Sequence, residues 1–441
     1  MLPPLFFSVR LPTLLAMFWR RCFLRNGRSG GSQRAPISYI VFRLDAMGDV
    51  VLTTPLFRAL KSMHPKSRLT VVVQRQIKPL LVTNPYIDEI LTLPSVEPQW
   101  LSMRLQRLLA AILLYCAQLR GRHFEFAISP RWDVDEHLAT FLCALVNAAH
   151  RVGYTCATTA DKHRINRGFD RVYDVCLPPG PICHEVQRNI AVAQCLGAGL
   201  HDTDLEIHIT ERDRRRAAEL LANVAAETAL IAVGIGARSP GRRWPLERFA
   251  ETVNRIGATR NIQPLIVCSA VEHNEALRLK RLLRMAPMII SGALLREVCA
   301  VLERCEVFIG NDSGCAHLAA AVGCRTVVIS RHPRDGNPNH FNSPVRFAPH
   351  TSNVKVLQPA TGRDGCTEAC VVPGPHCILE VSAEDAASSA LGMLEAQAAE
   401  VVTRASRRSA PLPCQLLHAH SGEAIRLAAE ALRSNFEEPS L

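Results

Sequence analysis

Two short runs of this sequence carry side chains suited to moving a proton and holding an anion. Arg43-Leu44-Asp45-Ala46-Met47-Gly48-Asp49-Val50 puts an arginine and two carboxylates into one turn. Gly310-Asn311-Asp312-Ser313-Gly314-Cys315-Ala316-His317 puts a carboxylate, a hydroxyl and an imidazole into another. A carboxylate such as Asp49 can take the proton from an attacking hydroxyl. At the start of a helix it can equally serve as a cap for free N–H groups, and both readings stay open on the residues alone. Gly48 allows a close approach of backbone, and Arg43 either grips a phosphate or carboxylate bidentately or pairs with Asp45 or Asp49.

Each run follows an apolar, β-branched stretch and opens into an apolar-periodic one. Tyr39-Ile40-Val41-Phe42 reads as a strand before a helix from Val50 to Met63, and Val307-Phe308-Ile309 as a strand before a helix beginning at His317. Strand–turn–helix units of this kind direct N–H groups and the positive end of a helix toward an anion. Neither turn has the G-x-G-x-x-G spacing of a dinucleotide site, which argues against a dehydrogenase. Strand signals at Leu69–Val73 and Phe124–Ile128 alternate with helical ones, among them Trp100–Leu119. The periodicity lapses around Leu200–Thr210. A charged helix over Glu211–Ala225 then precedes new strands at Leu230–Val233 and Pro264–Cys268. Such alternation predicts α/β structure with parallel sheets in two halves facing a cleft.

The two turns, with Asn84-Pro85-Tyr86-Ile87-Asp88-Glu89, His184-Glu185-Val186-Gln187-Arg188-Asn189 and Gly236-Ala237-Arg238-Ser239-Pro240 through Arg243-Trp244-Pro245 between them, occur in a family order. The chain in this respect resembles the ADP-heptose:lipopolysaccharide heptosyltransferases, glycosyltransferase family 9, over about residues 37–387. That resemblance implies the GT-B architecture, two Rossmann-like domains facing a central cleft. Residues 37–205 would form the acceptor-side domain and 206–400 the nucleotide-sugar domain, with a helix over Ala383–Ala398 packing back across both. It implies an inverting transfer of heptose from ADP-heptose to a lipopolysaccharide core acceptor, without a metal cofactor. Asp49 would be the base, and Arg43 and Gly48 would face the acceptor. Ser239, Arg242, Glu272, Asp312, Ser313, Gly314 and His317 would hold the donor. The family most often has lysine where Arg242 stands, and glycines where Cys268-Ser269 stand. Many members read G-P-T-D-P where this chain has Ser330-Arg331-His332-Pro333-Arg334-Asp335-Gly336-Asn337-Pro338. Donor identity is therefore the loosest part of the likeness. A different nucleotide sugar with a capsule or O-antigen acceptor, or a non-catalytic binding relative, are the competing readings.

The formal charge of +11 over 441 residues fits an arginine-rich solvated surface, or a face for anionic substrates or an anionic leaflet. No nucleic-acid-binding module is recognisable. No apolar run is long enough to span a bilayer, so the expectation is a cytoplasmic protein, peripheral on the inner membrane at most. Residues 1–36 lack acidic side chains and read either as a basic–apolar membrane anchor or as disordered lead-in. Gly27–Pro36 reads as a linker. Residues 401–441 form a C-terminal extension, with a linker over Thr403–Pro413 and an amphipathic helix over Gly422–Arg433. The sixteen cysteines are scattered, and Cys143, Cys176, Cys195, Cys268 and Cys299 fit reduced core thiols. Cys366, Cys370 and Cys377, with His376, stand apart in a C-x3-C-x6-C run. That run lacks the paired C-x2-C of common zinc folds, so the expectation is no metal.

Overall fold

The computed structural model describes residues 12–17, 36–96, 102–199, 202–225, 228–363, 366 and 374–408. Most of the N-terminal extension, the Gly422–Arg433 helix and Cys370 lie outside the described residues.

Buried, β-branched runs flanked by helices give two parallel six-stranded sheets. The first comprises β1 (Ser38–Phe42), β2 (Arg68–Val73), β3 (Glu89–Thr92), β4 (His123–Ser129), β5 (Asn147–Tyr154) and β6 (Val175–Leu177), in the order β3-β2-β1-β4-β5-β6. The second comprises β7 (Ala229–Gly234), β8 (Ile262–Cys268), β9 (Met288–Ser291), β10 (Val307–Asn311), β11 (Arg325–Ile329) and β12 (Val354–Leu357), in the order β12-β11-β10-β7-β8-β9. Read from the other edge, the second order repeats the first. Each is the order of a nucleotide-binding doubly wound sheet, whose switch point lies between the first and fourth strands of the half. Ligands in such sheets bind outside the carboxyl ends of the strands at that point. The ends of β1 and β4, and of β7 and β10, are therefore where chemistry is expected. Tyr39, Ile40, Val41 and Phe42 are all buried, so β1 is covered on both faces.

Several expected elements are redrawn. The helix expected over Val50–Met63 is two helices, Met47–Val51 and Thr54–Met63. Thr53 Oγ1 donates to the Asp49 carbonyl and Thr54 Oγ1 to the Val51 carbonyl, while Pro55 supplies no N–H to continue the ladder. The helix expected from Trp100 runs over Met103–Leu114 and ends in a π-turn at Tyr115–Leu119. The Glu211 helix stops at Leu220.

The C-terminal helix spans Ala383–Arg408, so Thr403–Arg408 are helical where a linker was expected. Its Ala383, Ala386, Ala387, Ala390 and Leu394 join the core around Ile231, Val233, Ile309 and Val327 of the second sheet. That core contains no residue of the first sheet, so this part of the helix packs into one domain rather than across both. Residues 12–17 are helical as well, and Ala16 packs in the first sheet's core with Phe42 and Leu114. This piece of the expected anchor is thus part of the fold.

Cys143 and Cys299 are buried, whereas Cys176 and Cys195 are exposed, contrary to the expectation of core thiols throughout. Cys176 lies on the short edge strand β6, where alternate residues face outward. No helix among the described residues is long and apolar enough to cross a membrane.

Candidate active site

The turn after β1 and the turn after β4 converge on two carboxylates. Arg43, fully buried, places Nη1 3.2 Å from Asp45 Oδ2 and Nη2 3.6 Å from Asp49 Oδ1. Arg131, from the turn after β4, brings Nη1 to 3.3 Å from Asp45 Oδ1 and 3.4 Å from Asp49 Oδ1. Two guanidiniums therefore serve two carboxylates, yet the carboxylates titrate differently. Burial opposes ionisation of Asp45, but Arg131, Arg43 and His137 outweigh it and hold the carboxyl below the usual range. For Asp49 burial prevails over Arg43 and Arg131, with the neighbouring Asp45 charge adding to it, and the carboxyl is pushed up. Divergent titration within a pair of acids is the usual sign that one has been prepared as a base or acid. Asp49 also accepts the Ala46 N–H at 3.2 Å, so the capping reading holds alongside.

The turn bearing Arg131 is built firmly. Lys162, buried with its ammonium brought down to about 8 chiefly by burial, donates to the carbonyls of Arg131 and Trp132. Asp135 accepts N–H groups from His137, Ala139 and Thr140. This holds Leu138, the one non-glycine residue with positive φ (66°) among the described residues.

In the second half, helix Gly314–Ala321 starts directly behind Asp312 and Ser313. The Asp312 carboxylate pairs with Arg242, which lies on a single turn, Pro240–Arg242, after β7. Asn311 ties the two loops together, accepting the Trp244 N–H at 2.9 Å and donating to the Ile235 carbonyl at 2.7 Å. Ser239 Oγ, Arg242 Nε and His317 Nδ1 are buried without hydrogen-bond partners. Burial drives His317 down to about 4, so its ring is neutral. Orphaned polar atoms gathered on one pair of loops call for a polar ligand or ordered water. Glu272 accepts from the Ser269 N–H and hydroxyl, and its carboxylate lies directly over Gly236.

The two halves meet at their turns. A Cβ on Gly48 would fall 2.7 Å from His317 Cδ2, and one on Gly314 would fall 2.5 Å from Met47 Cε. Gly48, expected to face an acceptor, thus admits the other half's imidazole. Arg43, expected at the acceptor, is shielded and occupied with Asp45 and Asp49, the ion-pair alternative raised by the sequence. Arg131 keeps some exposed surface beside the same carboxylates.

A further contact reaches across from the loop after β11. Arg346, fully buried, pairs with Asp133 at 2.7 Å and Glu185 at 2.6 Å, and its guanidinium lies 4.5 Å from the Trp132 ring centroid. Arg188 stacks on the same ring at 3.7 Å and pairs with Glu185. His184 Nε2 donates to the Ala348 carbonyl at 2.8 Å while its Nδ1 accepts the Val186 N–H. The sequence reading did not single out Arg131, Asp133 or Arg346. The charged run Arg131–Asp135 directly after a buried strand was the available signal, since β4 flanks the switch point.

Two Rossmann-like domains whose phosphate-type turns abut beside a carboxylate pair make the GT-B architecture, and the family match assigns it to the glycosyltransferases. The chain belongs to glycosyltransferase family 9 (heptosyltransferase), whose family model matches residues 118–341, more than half of its length. It is 23% identical over 311 residues to lipopolysaccharide heptosyltransferase 3 of Escherichia coli (strain K12), covering 70% of this chain and 83% of that protein. Among solved structures it resembles the family 9 glycosyl transferase from Veillonella parvula DSM 2008. That likeness has a TM-score of 0.64 and 20% identity, and covers 82% of this chain and 99% of the other. It also resembles E. coli ADP-heptose lps heptosyltransferase II, with a TM-score of 0.59, 17% identity and the same coverages of 82% and 99%.

Proposed function

We propose that the chain is an inverting heptosyltransferase that moves heptose from ADP-heptose to a sugar of the lipopolysaccharide core, with no metal in the catalytic step. Asp49 accepts the proton of the acceptor hydroxyl as its oxygen bonds to the anomeric carbon. The bond from that carbon to the diphosphate breaks, and ADP leaves with the electron pair. Arg242 and the N–H groups of Ser313 and Gly314 at the helix start take up the charge that develops on the diphosphate. His317 offers a neutral ring nitrogen beside them, and Ser239 a hydroxyl. Glu272 is assigned to the nucleotide ribose, Asp312 to orienting Arg242, and Arg43 to holding Asp49. Arg131, partly exposed beside the two carboxylates, is the side chain best sited to meet an anionic acceptor. The observation that carries this reading is the raised Asp49 carboxyl on the turn that abuts the Gly314 helix.

The reaction is assigned to the cytoplasmic face of the inner membrane, where a net charge of +11 would favour an anionic leaflet. A thermal-shift screen against ADP-, GDP- and UDP-sugars tests the donor, because a specific ligand stabilises the fold by mass action. Stabilisation by ADP-heptose above the others is expected. A preference for GDP- or UDP-sugars would sink the donor assignment and favour the variant reading suggested by the Ser330–Pro338 loop.

A further inference from the structure

The loop that leads from β12 to the C-terminal helix contains a side-chain cluster outside the site already described. The ligand-type atoms of Cys366, His376 and Cys377 lie within 4.8 Å of one another, and all three residues are buried. Cys366 Sγ is 3.9 Å from both ring nitrogens of His376, and His376 Nδ1 is 3.0 Å from Cys377 Sγ. Around a tetrahedral zinc ion, bond lengths near 2.3 Å to sulfur and 2.05 Å to nitrogen put neighbouring ligand atoms about 3.6–3.8 Å apart. The Cys366–His376 separation is already close to that spacing, and His376 Nδ1 and Cys377 Sγ need to move apart by about half an ångström.

We propose that Cys366, His376 and Cys377 bind a divalent transition metal of the thiolate-preferring class, zinc being the ion that matches them best. Two thiols and an imidazole are borderline-soft donors that select such metals over magnesium or calcium. The surroundings suit an anionic centre: the Arg363 N–H points to Cys377 Sγ at 3.5 Å, as a backbone donor does to a metal-bound thiolate. Electrostatic influence on His376 also comes from Arg331 and Arg363, two cations that would balance thiolate charge. The location gives the site a task. Among the described residues between Leu357 and Cys377 there is no helix or strand. Cys377 opens a short turn whose Ile378 is buried in the second sheet's core. The start of the same loop holds the segment that borders the donor side. Arg334 N–H donates to the Pro359 carbonyl, Gln358 Nε2 to the His332 carbonyl and Gly362 N–H to Asp335 Oδ1. A metal there would clip the loop to the core and fix the Ser330–Pro338 segment from behind. The sequence spacing argued against a metal; the fold brings Cys366 back onto the adjacent His376–Cys377 pair, which the spacing alone did not show.

The test uses the full chain purified without chelator, with metal content measured by inductively coupled plasma mass spectrometry. Close to one equivalent of zinc or another transition metal is expected, falling several-fold in Cys366→Ser and in Cys377→Ser but unchanged in Cys116→Ser, an exposed thiol elsewhere. Cobalt(II) added to chelator-treated wild type should give a thiolate-to-cobalt charge-transfer band that zinc abolishes. This measurement decides the matter even if the serine variants misfold. Wild type that holds only trace metal and develops no cobalt band would overturn the proposal. So would a Cys366–Cys377 disulfide detected by peptide mapping.

Discussion

Gly48 and His317 touch across the two halves of the chain, the glycine leaving the space that the imidazole fills. The contact joins the turn that carries the base to the helix start that faces the donor. Gly48→Ala should therefore force the turns apart. Overpacking of this kind costs about 1–3 kcal/mol, readable as a lowered midpoint in urea, with a fall in kcat larger than the change in donor affinity. The double variant Gly48→Ala/His317→Ala should recover part of the stability, as residues in contact do not add. Additive losses would mean that the contact is not what Gly48 preserves.

Asp49→Asn should lower turnover by roughly 10²–10⁴-fold, the range for loss of a general base, with ADP-heptose affinity nearly unchanged in calorimetry. The base works deprotonated, so activity should drop as pH falls through its pKa. Burial raises that pKa, so the acidic limb of the wild-type kcat profile should lie above the ordinary carboxylate range. Full turnover by the variant at saturating substrates would remove Asp49 from this role.

Arg242→Ala should weaken donor binding and slow transfer together, because one guanidinium meets the diphosphate in both ground and transition states. It also leaves Asp312 without its partner. Unaltered ADP affinity would reduce Arg242 to an ion pair within the apoprotein.

Arg346→Met should destabilise the fold by about 3–5 kcal/mol, since it strips the buried Asp133 of its closest cation and leaves Glu185 with Arg188 alone. Denaturant unfolding measures it. A loss below 1 kcal/mol would indicate that water reaches those carboxylates.

Stability should decline as pH falls from about 6.5 to about 4. His184 and His317 are both held neutral in the fold, each with its pKa lowered from 6.5 to about 4 chiefly by burial. The unfolded chain binds these protons first, so the contribution is complete above pH 6.5 and is lost on acidification. Protonating His184 would also remove the acceptor for the Val186 N–H. Urea midpoints across this window should fall less steeply for His184→Gln/His317→Gln than for wild type; equal slopes would locate the effect in other groups.

The sheets and both turns were legible because strand cores such as Tyr39–Phe42 and the residues that follow them are adjacent in sequence. The break at Thr53-Thr54-Pro55 was missed, because apolar periodicity running through it masked the proline. Arg131 and Arg346 were not legible either. Arg131 matters only because β4 pairs with β1, and Arg346 meets an aspartate 213 residues away. The charges after β4 mark Arg131 only once that strand is placed beside β1, and no local pattern announces the partner of Arg346. The opposed titration of Asp45 and Asp49 was equally hidden, since it depends on burial that the turn sequence does not encode.

The abutment of the two turns also constrains how such an enzyme can change its sugar. Met47, Gly48, Gly314 and His317 brace one another, so a substitution that reshapes the pocket there displaces the proton acceptor as well. The segment after β11 carries no such burden on its outer side. New donor preferences would then accumulate along that edge, while the braced centre is inherited unaltered.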